Sequence, residues 1–251
     1  MKLVIVTRGR ENAQYTLKNI PMDWLDRTIV AAPVGERHLF PNVIREPAPM
    51  NIAEKRQWLL ESGVVGTKFI MFDDDLNFSA RGEPGRLRKA TPVDISTAFH
   101  EIENALDTYP LIGLHARMMG QHTPPGFILN KRISNVQAVN TDLIGRIRVD
   151  TLPVLEDMLL NLSLITSGKN TAVYCNLLYD QVKGSNAPGG CSLHRTWEQQ
   201  RDAVLALKEM FPDIVTVKMK KTKDGWWEGR ERFDFVISWK TAEQIGKRAA
   251  K

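Results

Sequence analysis

Short apolar runs alternate with a helical segment in the first third of the chain, and this alternation constrains the fold more than any other feature. The runs "KLVIVT" (2–7), "RTIVAAPV" (27–34) and "TKFIMFDDD" (67–75) have the length and apolar content of buried strands. Between the last two, "NIAEKRQWLLESG" (51–63) has the apolar spacing of a helix. Because strands that alternate with helices form parallel βαβ units, we predict an α/β fold with a mixed, mainly parallel central sheet.

The rest of the chain continues this pattern with longer helices and further strands. We predict helices where apolar residues recur at helical spacing, and strands in the short apolar runs between them. The segment 154–168 looks helical at first and strand-like at its end. The predicted helices are 93–109, 154–168 and 195–211, the last ended by Pro212, and the predicted strands are 111–117, 135–144, 213–221 and 232–240.

Length and composition fit one globular domain. The 251 residues, 43% of them hydrophobic, suffice for a single α/β domain over 1–251, in which we distinguish a part at about 1–120 from a part at about 121–251. No apolar run reaches the roughly 18 residues that span a bilayer, and the N-terminus turns polar too early for a signal peptide. Cys175 and Cys191 are too few for a disulfide framework. We expect a soluble, cytoplasmic protein without a membrane partner.

Three consecutive aspartates, Asp73, Asp74 and Asp75, end the third predicted strand. Adjacent carboxylates repel one another, so a positive charge has to offset them. Open α/β sheets bind ligands beyond the carboxyl ends of their strands, and Asp73-x-Asp75 can hold Mn²⁺ or Mg²⁺ while leaving positions for phosphate oxygens. We predict Asp73 and Asp75 as metal ligands and Asp73 and Asp74 as contacts of a nucleoside-diphosphate donor. An acidic turn or helix cap is the alternative.

Other polar residues qualify as donor contacts. Thr7 and Arg8 follow the first strand in "VTRGR", which lacks the glycine spacing of a Rossmann or P-loop motif and so argues against hydride transfer or a P-loop kinase. Lys55 and Arg56 lie in the helix 51–63, where phosphate contact competes with a solvated helix edge as the explanation.

The segment "NAPGGCSLHRT" (186–196) leads a glycine-rich loop into a helix. A helix start is an anion site, and Arg195 there can clamp a diphosphate through two hydrogen bonds. His194 is a candidate metal ligand. A plain loop with a capped helix and a surface histidine is the alternative.

The pair Glu156-Asp157 lies in "LPVLEDMLL" (152–160), with apolar residues on both sides. A carboxylate in such surroundings is costly unless it is paired or used, so the pair is a candidate general base. A carboxylate that favours a helix N-terminus is the alternative.

Two basic clusters are candidates for nucleic-acid contact, one in "RGEPGRLRK" (81–89) and one in "KMKKTKDGWWEGRER" (218–232). Lysine and arginine suit phosphates, and indoles suit unstacked bases. A solvated loop and a hairpin with core-packed tryptophans are the alternatives. The first cluster contains Arg86, Arg88 and Lys89, and the second contains Lys220, Lys221, Lys223, Trp226 and Trp227.

Four segments together carry a family resemblance. "FIMFDDDLNF" (69–78), "LPVLEDMLL" (152–160), "GGCSLHRT" (189–196) and "ISWK" (237–240), in this order, resemble the phage glycosyltransferases associated with TET-like pyrimidine dioxygenases, a GT-A-fold group concerned with DNA base hypermodification. The DxD is common to many GT-A enzymes, whereas the ED and GGCS segments are more particular to this group.

The resemblance implies a sugar-nucleotide donor, for which we expect a UDP-sugar bound by the part at about 1–120, and a divalent metal. It also implies an acceptor hydroxyl on a modified pyrimidine such as 5-hydroxymethylcytosine in phage DNA, bound by the part at about 121–251, in the cytoplasm of an infected bacterium. By the same resemblance, Asp73 and Asp75 correspond to the metal and nucleotide motif. Asp157 corresponds to the acidic position that serves as base in inverting GT-A enzymes. Two other readings stay open: a nucleotidyltransferase with a two-metal site, and a catalytically silent DNA-binding module whose aspartates only stabilise a turn.

Overall fold

The computed structural model describes residues 1–83, 85–120, 122–182, 195–221 and 229–250. Several residues singled out above lie outside this part of the chain. They are Cys191, His194, Lys223, Trp226 and Trp227.

Twelve strands and eight α-helices make up the described part of the chain, with one 3₁₀ helix at Met22–Arg27. The strands are β1 (Lys2–Val6), β2 (Thr28–Ala32), β3 (Val43–Arg45), β4 (Lys68–Asp73), β5 (Leu76–Arg81), β6 (Leu87–Lys89), β7 (Leu111–Ala116), β8 (Phe127–Leu129), β9 (Val136–Asn140), β10 (Ala172–Gln181), β11 (Val215–Lys220) and β12 (Arg232–Ile237). The helices are α1 (Tyr15–Lys18), α2 (Ile52–Glu61), α3 (Pro92–Ala105), α4 (Arg117–Gly120), α5 (Thr141–Ile144), α6 (Glu156–Thr166), α7 (Trp197–Met210) and α8 (Trp239–Ala249).

Ten strands form one central sheet in the order β3-β2-β1-β4-β9-β7-β10-β5-β6, with β8 also paired to β10. Parallel pairing links β3, β2, β1 and β4, and again β7 and β10, whereas β9 lies antiparallel between β4 and β7. Strands β1, β4, β7 and β10 therefore all point the same way and end at one edge, which we call the carboxyl edge. The predicted α/β class with a mixed central sheet is confirmed.

Apolar clusters cover both faces of the sheet. Alternate residues of β1 point to opposite faces and so belong to different clusters. Leu3 and Ile5 belong to an apolar cluster that includes Phe99 of α3. Val4 belongs to a second cluster that includes Leu59 of α2. A third cluster joins α6, α7 and α8 to the two-stranded β11–β12 sheet. Among the described residues, no helix combines the length and the apolar composition needed to cross a membrane.

Three predicted elements are wrong in part. The strand-like end of 154–168 is helical, because α6 is apolar nearly all round and an apolar run alone does not separate a buried helix from a strand. The strand predicted over 135–144 ends at Asn140, whose side chain caps the short helix α5 by accepting from the backbone N of Asp142. The segment 232–240 does not end as a strand, since α8 begins at Trp239.

Candidate active site

The aspartate triplet lies at the carboxyl edge, as predicted. Strand β4 ends at Asp73, so Asp74 and Asp75 form a turn instead of continuing the extended segment. Thr16 holds this turn, because its hydroxyl donates to the Asp73 carbonyl (2.5 Å) and accepts from the backbone N of Leu76 (2.9 Å). Asp74 and Asp75 are buried and Asp73 is partly exposed. The turn therefore presents Asp73 outward and holds the other two carboxylates inside.

Arg10 supplies the charge that offsets the two buried aspartates. Its guanidinium pairs with Asp74 and lies 2.9 Å from Asp75 Oδ2, and the Thr7 hydroxyl also donates to Asp74. Burial raises the pKa of Asp74 to about 6, a rise that the Thr7 hydrogen bond and Arg10 limit. Burial, together with the charge of Asp73, also raises the pKa of Asp75. Arg10 was not predicted as a site residue, although three adjacent carboxylates require a cation nearby.

Arg56 connects the aspartate triplet to the Glu156-Asp157 pair. One nitrogen of its guanidinium donates to Asp73 Oδ1 (2.8 Å) and another donates to Glu156 Oε1 (2.5 Å). Asn135 donates to the second oxygen of Asp73 at 2.7 Å. Two motifs far apart in sequence thus meet at one side chain of α2, which is buried and not a solvated helix edge.

Glu156 and Asp157 occupy the first turn of α6, directly after Leu155. Leu155 has φ 72°, a left-handed conformation that persists for a leucine only where its surroundings enforce it. Burial raises the pKa of Glu156 despite the ion pair with Arg56. Asp157 is partly exposed, and its Oδ1 accepts from the backbone N of Met158 at 2.8 Å.

Tyr179 at the end of β10 adds a hydroxyl to the same region. Its oxygen lies 2.8 Å from the Ser134 hydroxyl. Burial raises the pKa of Tyr179 to about 12, and the charges of Asp73 and Asp157 act in the same direction. The phenol therefore stays neutral and is a hydrogen-bond donor close to both carboxylates. No motif in the sequence marked Tyr179, Ser134 or Asn135.

Lys55 and Arg8 lie around the loop that follows β1. Lys55 is buried, donates to the Thr7 carbonyl (2.9 Å) and lies 2.9 Å from Glu46 Oε2, and burial lowers its pKa. Arg8 lies 4.0 Å from the other oxygen of Glu46 and is partly exposed. Lys55 thus supports the loop that carries Thr7 and Arg10, and the contact of Lys55 or Arg8 with a donor stays a prediction.

Arg195 precedes the predicted helix start, which the structure places at α7 with Thr196 as its cap. The Arg195 guanidinium donates to Gln200 Oε1, and the Gln200 amide donates to the Phe233 carbonyl at 3.0 Å. These contacts fix the arginine beside the β11–β12 sheet. Its role as a diphosphate clamp stays a prediction.

The described residues of the two basic clusters lie in or next to strands β6 and β11. In β6, Arg88 pairs with both carboxylate oxygens of Asp94 at 2.6 and 2.7 Å, whereas Arg86 and Lys89 are exposed. At the end of β11, Lys220 lies 3.9 Å from Asp234. Lys221 follows it and is also exposed.

Asp73 and Asp75 fit a divalent cation of the kind that completes its coordination with phosphate and water. Their oxygens are hard ligands, and Mg²⁺ is usually held by one or two carboxylates plus substrate phosphates. Asp73 already accepts from Arg56 and Asn135, so a cation would share its oxygens with them. Among the described residues, no group of three or more His, Cys, Asp and Glu side chains is arranged to hold a metal by itself.

Comparison with known proteins gives one family match. The model of the family described as TET-Associated Glycosyltransferase matches residues 1–190. No curated protein matches the chain.

Solved structures give weaker similarities. S. aureus TarS 1-349 in complex with UDP is 10% identical, with 83% of this chain and 66% of that chain covered and a TM-score of 0.48. The same protein without UDP is 13% identical over the same shares, with a TM-score of 0.47. Mannose-1-phosphate geranyltransferase from Thermus thermophilus is 11% identical, with 100% of this chain and 99% of that chain covered and a TM-score of 0.45. The chain spans 66% of the length of the TarS structures, and likeness at this level carries no argument about substrates.

Proposed function

Because the chain belongs to the TET-associated glycosyltransferase family, we propose that it transfers a sugar from a UDP-sugar to the hydroxymethyl group of a pyrimidine in phage DNA. The observation that carries this proposal is the Arg56 bridge, which brings Asp73 and the Glu156-Asp157 pair together at the carboxyl edge. The Arg56 bridge supports the proposal because Asp73 and the Glu156-Asp157 pair meet at one guanidinium, and a displacement at an anomeric carbon requires donor and base to be held together.

On the donor side, Asp73 and Asp75 would hold Mn²⁺ or Mg²⁺ against the diphosphate. Such a cation neutralises charge on the departing diphosphate when it is bound. Arg10 and Arg56 add fixed positive charge next to these carboxylates. Fixed charges of this kind lower the cost of developing negative charge without reorganising during the reaction.

On the acceptor side, Asp157 would take the proton of the hydroxymethyl group. The acceptor oxygen forms a bond to the anomeric carbon, the bond from that carbon to the diphosphate oxygen breaks, and the nucleoside diphosphate leaves with the bonding electron pair. The proton passes to Asp157, whose Oδ1 is held by the Met158 backbone while the carboxylate stays partly exposed. Tyr179 lies close enough to Asp73 and Asp157 to donate to the sugar or the acceptor.

A donor screen tests the proposed reaction against its rivals. The purified chain is incubated with Mn²⁺, a panel of sugar nucleotides and DNA containing 5-hydroxymethylcytosine. We expect release of nucleoside diphosphate and a mass increase of one sugar on the DNA. Release of pyrophosphate from nucleoside triphosphates would favour nucleotidyl transfer, and no turnover would favour the silent DNA-binding module. Transfer to a protein or a small metabolite alone would remove DNA as the acceptor.

Asp75→Asn is expected to lower sugar transfer at least about tenfold, since even the outer partners of a metal ligand are worth that much. The substitution removes charge and keeps the shape of the side chain, and EDTA should give the same loss in the unaltered protein. Initial rates at increasing Mn²⁺ measure the effect. Asp107→Asn is the matched control, because Asp107 pairs with Lys68 at the amino end of β4, away from the carboxyl edge. Full activity of Asp75→Asn with unchanged metal dependence would remove Asp75 from the metal site.

Neutralising Arg86 and Lys89 together is expected to weaken DNA binding and to reduce the slope of log affinity against log salt by about two, since each phosphate contact contributes about 0.9. Arg88 is left intact because it also holds Asp94, which caps α3. Fluorescence anisotropy at several salt concentrations measures the slope. The control is Lys2→Gln, at the amino end of β1.

An unchanged salt slope would rule out phosphate contact at β6. The second basic cluster then becomes the candidate, and the same measurement on Lys220→Gln with Lys221→Gln tests it. Lys223, Trp226 and Trp227 lie outside the described residues, and their contact with DNA stays part of the proposal.

A further inference from the structure

The carboxyl edge carries an exposed pair of methionines that the proposed reaction does not use. Met118 and Met119 lie on α4, directly after β7, and are 89% and 63% exposed. Single exposed apolar residues are common on protein surfaces. Two adjacent exposed methionines at the carboxyl edge are less common and form a candidate contact surface.

Helix α4 begins beside strand β10. Ala116, the residue before α4, pairs with Tyr179 across β7 and β10. The charges of Asp73 and Asp157 act on the Tyr179 hydroxyl. Met118 therefore lies two residues beyond the position on β7 that adjoins Tyr179.

The turn that carries the methionines is anchored. Gly120 is packed so closely on the sheet that an added Cβ would overlap the Leu178 side chain. Arg81 holds the following loop, donating to the carbonyls of Thr123 (2.5 Å) and Cys175 (2.7 Å). The packing of Gly120 and the hydrogen bonds of Arg81 therefore hold Met118 and Met119 in their exposed positions.

Charged residues lie on the elements beside the pair: Arg86 and Lys89 on either side of Leu87 in sequence, and Arg117 with its partner Asp180. The space above Gly120 is bounded on a second side by Leu87 of β6, which places α4 beside exposed Arg86 and Lys89. Arg117 is half-exposed and lies 3.6 Å from Asp180. The surface formed by Arg86, Lys89, Arg117, Met118 and Met119, which we call the methionine rim, joins cations to apolar side chains.

We propose that the methionine rim holds the DNA strand that bears the acceptor, with Met118 and Met119 packed against the bases that flank the modified pyrimidine. This proposal rests on the proposed function. A pyrimidine that leaves its stack to bring its hydroxymethyl group to Asp157 deprives its neighbours of stacking partners. Methionine is flexible and polarizable, and methionine side chains do insert between base steps. Arg86, Lys89 and Arg117 would contact the flanking phosphates, which position a strand without reading its sequence.

The test compares two acceptors. Sugar transfer is measured with duplex DNA containing 5-hydroxymethylcytosine and with the corresponding mononucleotide, which has no flanking bases. For the double variant Met118→Ala with Met119→Ala, we expect the KM for duplex DNA to rise about tenfold, the scale of one lost base contact. The KM for the mononucleotide and the melting temperature should not change. Met22→Ala is the matched control, because Met22 is equally exposed (85%) but precedes β2 at the opposite edge of the sheet.

A binding measurement gives an independent readout. Fluorescence of 2-aminopurine placed next to the modified base should increase when the unaltered protein binds, and the increase should be lost in the double alanine variant. Met118→Leu with Met119→Leu should restore both the KM and the fluorescence, since leucine keeps the apolar volume.

Three results would overturn the methionine contact. They are an unchanged KM for duplex DNA, an equal loss with the mononucleotide, and a change of oligomeric mass on substitution, which would make the rim an interface between copies of this chain. Absence of transfer by the unaltered protein to either acceptor would instead contradict the proposed function itself. The experiment therefore distinguishes an error in the proposed methionine contact from an error in the proposed reaction.

Discussion

Arg56→Ala is expected to lower the free energy of unfolding by about 3–5 kcal/mol, the cost of breaking a buried ion pair by removing one partner. Arg56 and Glu156 are 4% and 5% exposed, and the guanidinium is the partner that compensates the buried carboxylate. Asp73 would lose one of its two side-chain partners at the same time. Chemical denaturation with circular dichroism measures the stability. We also expect sugar transfer to be lost.

A double variant separates charge compensation from general packing. Glu156→Gln removes the uncompensated charge, so adding it to Arg56→Ala should recover part of the lost stability without restoring transfer. Arg56→Lys should be intermediate, because lysine keeps the charge but lacks the planar fork that reaches two carboxylates. Arg27→Ala, at an exposed arginine of the 3₁₀ helix, is the control. A stability of Arg56→Ala equal to that of this control would contradict a structural role of the bridge.

The charges around Arg56 explain why a cation is still expected at a site that already contains arginines. Five carboxylates converge there, from Asp73, Asp74, Asp75, Glu156 and Asp157. Within the described part of the chain, Arg10 and Arg56 form ion pairs with four of them, and the charge of Arg132 acts on Asp157. Burial raises the pKa of Asp74 and Glu156, because their surroundings disfavour negative charge. The remaining excess of negative charge favours the divalent cation proposed for Asp73 and Asp75.

Local sequence patterns were sufficient to place the carboxyl ends of β1 and β4 side by side. Strands β1, β2 and β4 are short apolar runs, helix α2 lies between β2 and β4, and a βαβ unit has essentially one way to fold back on its sheet. The carboxyl ends of β1 and β4 therefore meet, and the residues that follow them, Thr7 and Asp73 to Asp75, were identified from sequence.

The side chains that pair with these residues could not be predicted from local sequence patterns. Arg8 and Arg10 are both near the end of β1, and only the folded loop selects Arg10 for Asp74 and Asp75. Asn135 reaches Asp73 across 62 residues of sequence, and no local period encodes a contact of that range. Strand β10, the longest in the central sheet, was overlooked because it is apolar on both faces and lacks the alternation that marks a half-buried strand.

Asp157→Asn is expected to lower kcat by about 10²- to 10⁴-fold, the contribution of a positioned general base, while the KM for the sugar nucleotide stays unchanged. Asparagine keeps the shape of the side chain and its acceptor for the Met158 backbone, but it cannot take a proton from the acceptor hydroxyl. Steady-state kinetics with saturating DNA measure the effect.

The alternative for Asp157, a carboxylate that only stabilises the start of α6, gives a different result for the same variant. A helix-terminal charge contributes about 0.3–1 kcal/mol to stability and nothing to the rate. Asp142→Asn is the matched control, because Asp142 is an exposed carboxylate in the first turn of α5. Glu156→Gln is unsuitable as a neutral control because Glu156 is the buried partner of Arg56. A kcat for Asp157→Asn equal to that of Asp142→Asn would exclude Asp157 as the base, and NMR showing retained anomeric configuration would exclude the single displacement that requires one.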